Sequence, residues 1–398
     1  MNIMSFSPIN SDARTHVDCP VCGGRDLLSS VTFEALPILC STLHSDAESS
    51  RGADAGQFST TFCRSCGHVF NATFEDGRIG YTQSYDSSLA FSPRFAAFEE
   101  ALAERLNATY ALEGKTIIDI GCGKGSFLKR LCAVSGADGI GFDKSFEMTR
   151  ADAVPGVRFV NDWFGDTYTD AQPDFVSCRH VIEHIAEPVA FLRALRAHPA
   201  IQPETVFYFE APNALYTLRD LGIWDLIYEH VSYFTPPSLR KAFEAAGFEV
   251  LDTGTSFGEQ YLYIEAKPGF NYSPALSSET GKIESLVRDF DNAYRDKIKR
   301  WRHYLATRDP GKIVVWGAGA KGVTFVNVVP GADRIGALVD VNPHKHGRFA
   351  PRTDTPVLSP EALRGQPIES IIIMNPLYHD EIAGAVAALG LTSEIIVA

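Results

Sequence analysis

The stretch Thr116-Ile-Ile-Asp-Ile-Gly-Cys-Gly-Lys-Gly-Ser-Phe-Leu128 constrains this chain more than any other. It predicts a short buried strand over 116–120, a break at Gly121 and a helix that begins near Ser126. A strand, a tight glycine turn and a helix start leave backbone N–H groups pointing outward, where a ligand can approach the main chain closely. Gly121, Gly123 and Gly125 remove the Cβ atoms that would block that approach. Asp119, just before the turn, supplies a negative charge that suits a cationic amino group better than a pyrophosphate. Asp143 ends the next predicted strand in Gly-Ile-Gly-Phe-Asp, at the offset where a carboxylate accepts hydrogen bonds from both ribose hydroxyls.

D-x-G-x-G-x-G joined to that second acidic strand end resembles the first motif of class I S-adenosylmethionine (SAM) methyltransferases. Asn161-Asp162-Trp163 follows the third predicted strand. There the resemblance implies an acidic group near the adenine amino group and a flat apolar neighbour; an N-cap role for Asp162 is the alternative. Around these positions the chain alternates strand and helix. Strands are expected over 116–120, 139–143, 157–160, 175–178 and 206–210, with helices over 126–133 and 188–197. The alternation predicts a mainly parallel sheet with helices on both faces. Strands at 248–252 and 261–266 should close it as an antiparallel edge.

Cys19-Pro-Val-Cys22-Gly-Gly and Cys63-Arg-Ser-Cys66-Gly-His are separated by 40 residues. Two such knuckles can place four thiolates around one Zn²⁺, leaving no position for water, so the expected metal is structural. Four unrelated buried thiols, or a redox pair, are the alternatives; His16 and His68 are spare ligand candidates. A metal would stabilise a module too short to build its own core. The polar insert over 41–57 reads as a mobile loop. From Tyr81 to Ala111 the pattern becomes helical, with Phe95, Phe98, Leu102, Leu106 and Tyr110 on one face. Tyr81 and Tyr85 ahead of it read as core aromatics or as a lid.

Two segments carry candidate acid–base groups. Cys178-Arg-His-Val-Ile-Glu-His-Ile185 runs off the fourth strand at the carboxyl edge of the sheet, the usual ligand crevice. His180 is the preferred general base there, since a neutral imidazole titrates near working pH. Glu183 and His184 read either as site residues or as organisers of the next helix. Further on, Tyr228-Glu-His-Val-Ser-Tyr233 gathers carboxylate, imidazole and phenol within six residues, enough to take a proton and hold an oxyanion. Glu229 would orient His230, and Tyr228 or Tyr233 would hydrogen-bond that oxyanion. A structural histidine–glutamate pair is the alternative.

A long helix bearing Ile283, Leu286, Phe290, Tyr294, Ile298 and Trp301 leads to a second strand, G-x-G-x-x-G turn and helix at Lys312-Ile-Val-Val-Trp-Gly-Ala-Gly-Ala-Lys-Gly322. By spacing this unit could hold NAD, with Asp340 on the ribose. The length of 398 residues fits two or three domains, and a net charge of −13 argues against nucleic acid or anionic membrane as partners. No apolar run approaches the roughly 20 residues of a membrane span, and the N-terminus lacks a signal pattern, so a cytoplasmic protein is expected.

Zinc knuckles, a SAM pocket, the Tyr-Glu-His-Val-Ser-Tyr-Phe loop and a G-A-G-A-K-G module, in this order, resemble the three-domain sugar C-methyltransferases. The resemblance implies an N-terminal zinc-binding module (1–75), a central class I methyltransferase domain (76–268), and a linker helix with a Rossmann-like domain (269–398). It implies SAM at Asp119, Gly121, Gly123, Asp143, Asp162 and Trp163, and zinc at Cys19, Cys22, Cys63 and Cys66. Acid–base work falls to His180 and His230, with Glu229 and Tyr228 beside them, on a nucleotide-linked keto-deoxysugar. Those enzymes often carry Tyr-x-Glu-His, whereas here Ile227 stands two before Glu229 and Tyr228 is adjacent to it.

Overall fold

The computed structural model describes residues 18–80, 89, 91–146, 154–165, 167–270 and 277–398; His16, Tyr81 and Tyr85 lie outside them. The N-terminal part is a small antiparallel sheet. Strand β1 (Leu27–Pro37) leads through helix α1 (Ala47–Arg51) to β2 (Ala55–Cys63), which pairs with both β1 and β3 (Val69–Asn71). The segment expected as a mobile loop over 41–57 is instead ordered and docked. Asp46 caps α1 by accepting the Ser49 N–H at 2.8 Å, and Ser50 is fully buried against the C-terminal part. A polar sequence gave no sign of this, because the contacts are backbone pairings to residues 300 positions away: His44 and Phe349 exchange N–H···O bonds of 2.9 Å each.

The central part follows the expected alternation. After α2 (Pro93–Tyr110) come β4 (Thr116–Ile120), α3 (Ser126–Ser135), β5 (Asp138–Phe142), β6 (Val157–Val160), β7 (Phe175–Arg179), α4 (Pro188–Ala197) and β8 (Val206–Pro212). Then follow α5 (Ala214–Arg219), β9 (Ser232–Tyr233), α6 (Pro236–Ala246), β10 (Phe248–Ser256) and β11 (Tyr261–Pro268). Seven strands form one sheet in the order β10-β11-β8-β7-β4-β5-β6, all pointing one way except β11, which runs antiparallel to both its neighbours β8 and β10. The run of Ile, Phe and Val in the central strands β4, β5, β7 and β8 is buried on both faces, as parallel strands under helices require. The order turns at β4, so its carboxyl end, with that of β7, opens the crevice.

Strand β9 belongs elsewhere. It pairs with β3 through Val69↔Tyr233 and Phe70↔Ser232, closing the N-terminal sheet with two residues from the central part. The boundary expected near residue 75 is therefore crossed by a continuous sheet.

Helix α7 (Ser277–Ala306) leads to a five-stranded parallel sheet. Its elements are β12 (Ile313–Trp316), α8 (Ala320–Val328), β13 (Ile335–Val339), β14 (Val357–Leu358), β15 (Ser370–Ile373), α9 (His379–Ala388) and β16 (Glu394–Val397), in strand order β14-β13-β12-β15-β16. One apolar core joins all three parts: Phe58 and Phe62 from β2, Trp224 and Tyr228, Phe290 and Trp301 from α7, and Phe325 from α8. Among the described residues, no helix is long and apolar enough to cross a membrane.

Candidate active site

The glycine turn after β4 has the backbone its sequence requires. Gly121, Gly123 and Gly125 sit at φ +69°, +55° and +76°, the left-handed region that other residues rarely enter. A Cβ at Gly121 would lie 2.3 Å from the Val181 side chain, and one at Gly125 2.3 Å from the Phe159 ring. At Gly123 a Cβ would meet no atom of the described residues within 4 Å, so the main chain there faces space a ligand can use. Asp143 grips the turn from below: its Oδ2 accepts the Gly123 N–H at 2.8 Å, and its Oδ1 accepts from the N–H and hydroxyl of Ser145 at 2.7 Å each. Asp119 is buried and accepts from the Ser177 hydroxyl at 2.6 Å. Burial pushes its carboxyl up to about 7, against that hydrogen bond and the nearby Arg179, which is the condition of a group that gains from a cation. Asp162 forms an ion pair with Lys144 at 2.8 Å and accepts from the Tyr168 hydroxyl, with the half-buried Trp163 beside it. No helix starts there, so the N-cap alternative for Asp162 falls away.

The ends of β7 and β8 carry a charge network. Arg179 is buried between Glu99 of α2 and Glu210 of β8, donating to each at 3.0 Å. His180 follows at φ +55°, an uncommon backbone for histidine that costs on the order of 1–3 kcal/mol and clusters at functional sites. Its backbone N–H is held by the Glu210 carbonyl at 2.8 Å. Its ring lies 3.2 Å from the Glu210 carboxylate, 3.6 Å from that of Glu183, and edge-on to Tyr261 at 4.4 Å. Burial opposes a charge on His180, yet the two carboxylates outweigh it and push the imidazole up to about 9. Burial likewise opposes the charge of Glu210, and Arg179 with His180 hold that carboxyl down at about 2. Glu210, Arg179 and Tyr261 were given no role from the sequence, although the stretch opening at Glu210 stood out; the signal was an acidic strand end beside a strand ending in Arg-His.

His230 joins this cluster from the loop before β9. Its ring packs edge-on to His184 at 4.8 Å, and Glu183, His184 and His230 bring ligand atoms within 4.8 Å of one another. Burial and the neighbouring His184 and His180 push the His230 imidazole well below its usual range, so it is neutral. Its Nδ1 is buried and has no hydrogen-bond partner among the described residues. Glu229 is fully buried, its carbonyl receiving the His184 Nδ1 at 3.0 Å and its Oε1 accepting the Cys40 N–H at 3.1 Å. Tyr228 is not brought here. Its ring packs on Gly56 and Phe74 in the core, and its hydroxyl accepts from the Glu75 N–H at 3.1 Å. Tyr233 is also spoken for, its hydroxyl bonding the Ile227 N–H and carbonyl at 3.0 Å each. Both phenols follow the β3–β9 pairing into the N-terminal core, a long-range effect that local spacing does not reveal.

Away from the crevice, the four knuckle sulfurs of Cys19, Cys22, Cys63 and Cys66 lie within 4.8 Å of one another. The pairs Cys19–Cys66 and Cys22–Cys63 stand 3.6 Å apart, too far for disulfides and close to the edge of about 3.8 Å that four Zn–S bonds define. His68 is turned away, its ring packed on Phe234 and Phe70. In the C-terminal part, Asp340 copies Asp143: its Oδ2 accepts the Ala318 N–H at 2.8 Å. Here, however, a buried Lys345 pairs with the same oxygen at 3.2 Å. The glycine turn of this unit abuts the β10–β11 hairpin, where Gln260 exchanges hydrogen bonds with Asn375 and receives Lys321 at 3.1 Å.

Known proteins are similar to parts or most of this chain. Residues 94–253 match a family model described as a methyltransferase domain, and residues 285–396 one described as a C-methyltransferase C-terminal domain. The C-methyltransferase NovU of Streptomyces niveus is 23% identical over 394 residues, spanning 92% of this chain and 91% of that protein. A ubiquinone biosynthesis O-methyltransferase of Idiomarina loihiensis is 29% identical over 196 residues, 43% of this chain and 77% of that protein. A solved SAM-dependent methyltransferase from Aquifex aeolicus is 18% identical, with a TM-score of 0.35 over 44% of this chain and 94% of that one. The chain is a SAM-dependent methyltransferase of the class I fold, with a C-terminal part of the kind described for C-methyltransferases.

Proposed function

We propose that this enzyme methylates carbon in a nucleotide-linked keto-deoxysugar through base-assisted enolisation. The observation that carries the reading is one cluster that gives two histidines opposite surroundings: the His180 ring lies 3.2 Å from the Glu210 carboxylate and 3.6 Å from that of Glu183, which favour its charge, whereas His230 is packed on His184 at 4.8 Å, where burial and a second imidazole disfavour one. Environments that push two titratable groups apart assign them opposite roles. His230 accepts the proton next to the ketone, and Glu229 fixes the loop that presents it. His180, clamped between Glu183 and Glu210, donates a hydrogen bond to the oxygen where negative charge develops. Bound SAM supplies an electrophilic methyl group to the resulting carbon nucleophile. The residues assigned to hold it are Gly121 and Gly123 with their open backbone, Asp119 toward the amino group, Asp143 toward the ribose, and Asp162 with Trp163 toward the adenine. Cys19, Cys22, Cys63 and Cys66 fit a tetrahedral zinc, which would fix the N-terminal fold without touching the reaction.

Carbon as acceptor atom is favoured by the C-terminal family description and by the near full-length similarity to NovU. The nucleotide-sugar acceptor would lie between the carboxyl edge of the central sheet and the C-terminal glycine turn. A second reading, methylation of oxygen, nitrogen or carbon in another small molecule, is favoured by the ubiquinone O-methyltransferase similarity in the central part.

Solvent exchange separates the two. Incubated in D₂O without SAM, a nucleotide-linked keto-deoxysugar should lose its acidic C–H signal with the wild-type enzyme and keep it with His230→Ala. Methylation of a phenol or amine by an enzyme that exchanges no ketosugar would defeat the first reading.

A further inference from the structure

The insert over residues 38–53 has no place in the reaction so far described, yet it is tied by backbone and side-chain hydrogen bonds to the C-terminal part. Its base is closed by the Ile38 N–H on the Asp54 carbonyl at 3.0 Å. Its tip is seated on residues 349–354: the His44–Phe349 backbone pair, the Arg352 N–H on the Ser50 carbonyl at 2.7 Å, and the Ser50 hydroxyl between the carbonyls of Ala350 and Thr353 at 2.6 and 2.7 Å. Between base and tip lies Cys40, 1% exposed, with its thiol toward the Thr324 hydroxyl of α8 and its N–H on the Glu229 carboxylate.

We propose that this insert is a strap that positions the Glu229 carboxylate, with Cys40 as the positioning residue and the C-terminal part as its anchor. A hydrogen bond to a buried carboxylate is charge-assisted and directional. It holds one orientation only if the donor's own backbone is held. The donor here is a loop residue, and the anchors that fix it come from residues about 300 positions away. Through this chain of contacts the C-terminal part acts on the catalytic loop by a route separate from its glycine turn. The inference rests on the reading of Glu229 as the residue that fixes the base-bearing loop.

A double-mutant cycle on the full-length enzyme tests it. Ser50→Ala removes the anchor hydroxyl and touches no site residue. It should lower kcat about tenfold while acceptor KM and SAM Kd stay within about twofold, and Ser50→Thr should restore the rate. In a Glu229→Gln background the same change should cost less than about twofold more, because the group it positions is already disabled. Thr324→Val, read in the same cycle, serves if Ser50→Ala does not fold. Wild-type kcat in both anchor variants, or losses that multiply with Glu229→Gln, would overturn the strap. Full activity in Glu229→Gln alone would instead overturn the role of Glu229 itself.

Discussion

Asp143 and Asp340 occupy the same position in two successive strand–turn–helix units, each accepting a backbone N–H from its own glycine turn at 2.8 Å, but among the described residues only Asp340 is paired with a buried lysine. The second copy has spent its carboxylate internally, so a dinucleotide ribose would have to displace Lys345. Asp143→Ala should weaken SAM binding by roughly 10- to 100-fold, the worth of charge-assisted hydrogen bonds to ribose. Asp340→Asn should leave SAM binding unchanged and lower the melting temperature. Calorimetric titration of both variants checks this; a loss of SAM affinity from Asp340→Asn would contradict it.

The two inner glycines should fail differently. Gly121→Ala drives a Cβ to 2.3 Å from Val181, so it should destabilise the fold and bind SAM poorly. Gly123→Ala meets no atom of the described residues, and its stability cost should be only the left-handed backbone penalty of about 1–2 kcal/mol. It should nonetheless lose SAM, because the added methyl fills space the cofactor needs. Urea melts beside SAM titrations separate the two effects.

His180 makes stability depend on pH in a defined direction. Its folded-state pKa, about 9, lies above the ordinary 6.5, so its contribution is complete below about pH 6.5 and is lost as pH rises through 9. That contribution is roughly 2 kcal/mol, given a side chain still 31% exposed. His180→Gln should flatten the fall of urea midpoint between pH 6.5 and 9.5. An unchanged slope would show that the imidazolium is not held as described.

Tyr228 and His230, two residues apart, should give opposite phenotypes. Tyr228→Phe loses one hydrogen bond in the core, about 1 kcal/mol of stability, with kcat nearly unchanged. His230→Ala should lower kcat by about 10²–10⁴ with the fold intact. Steady-state kinetics with matched melting curves would reveal any exchange of these roles.

Removal of the proposed zinc should be felt in the crevice. Stripping the four cysteines with a chelator, or Cys63→Ser, should loosen β2 and β3 and, through Val69–Tyr233, the loop carrying Glu229 and His230. Metal analysis should find about one zinc per chain before treatment. Activity that survives full depletion would uncouple the knuckles from the loop.

Much of this architecture was legible because it is local. The glycine turn, Asp143 and the strands at 157–160 and 175–179 are set by residues within one βα unit, where periodicity and turn chemistry act together. The cluster around His180 was half legible: the histidines announced themselves, but Glu210 and Arg179 gain meaning only when β7 and β8 lie side by side. Tyr228 and the strap misled for the opposite reason. Their surroundings are supplied by partners more than 150 positions distant, such as Glu75 for one and Phe349 for the other, which no window of sequence contains.

The pairing of Val69–Phe70 with Ser232–Tyr233 also limits how such an enzyme can be recombined. A chimaera that exchanged only the first 80 residues with a relative would import three strands and leave the fourth behind. The graft would have to bring its own copy of the loop around 228–233, so acceptor chemistry and the amino-terminal piece are inherited together.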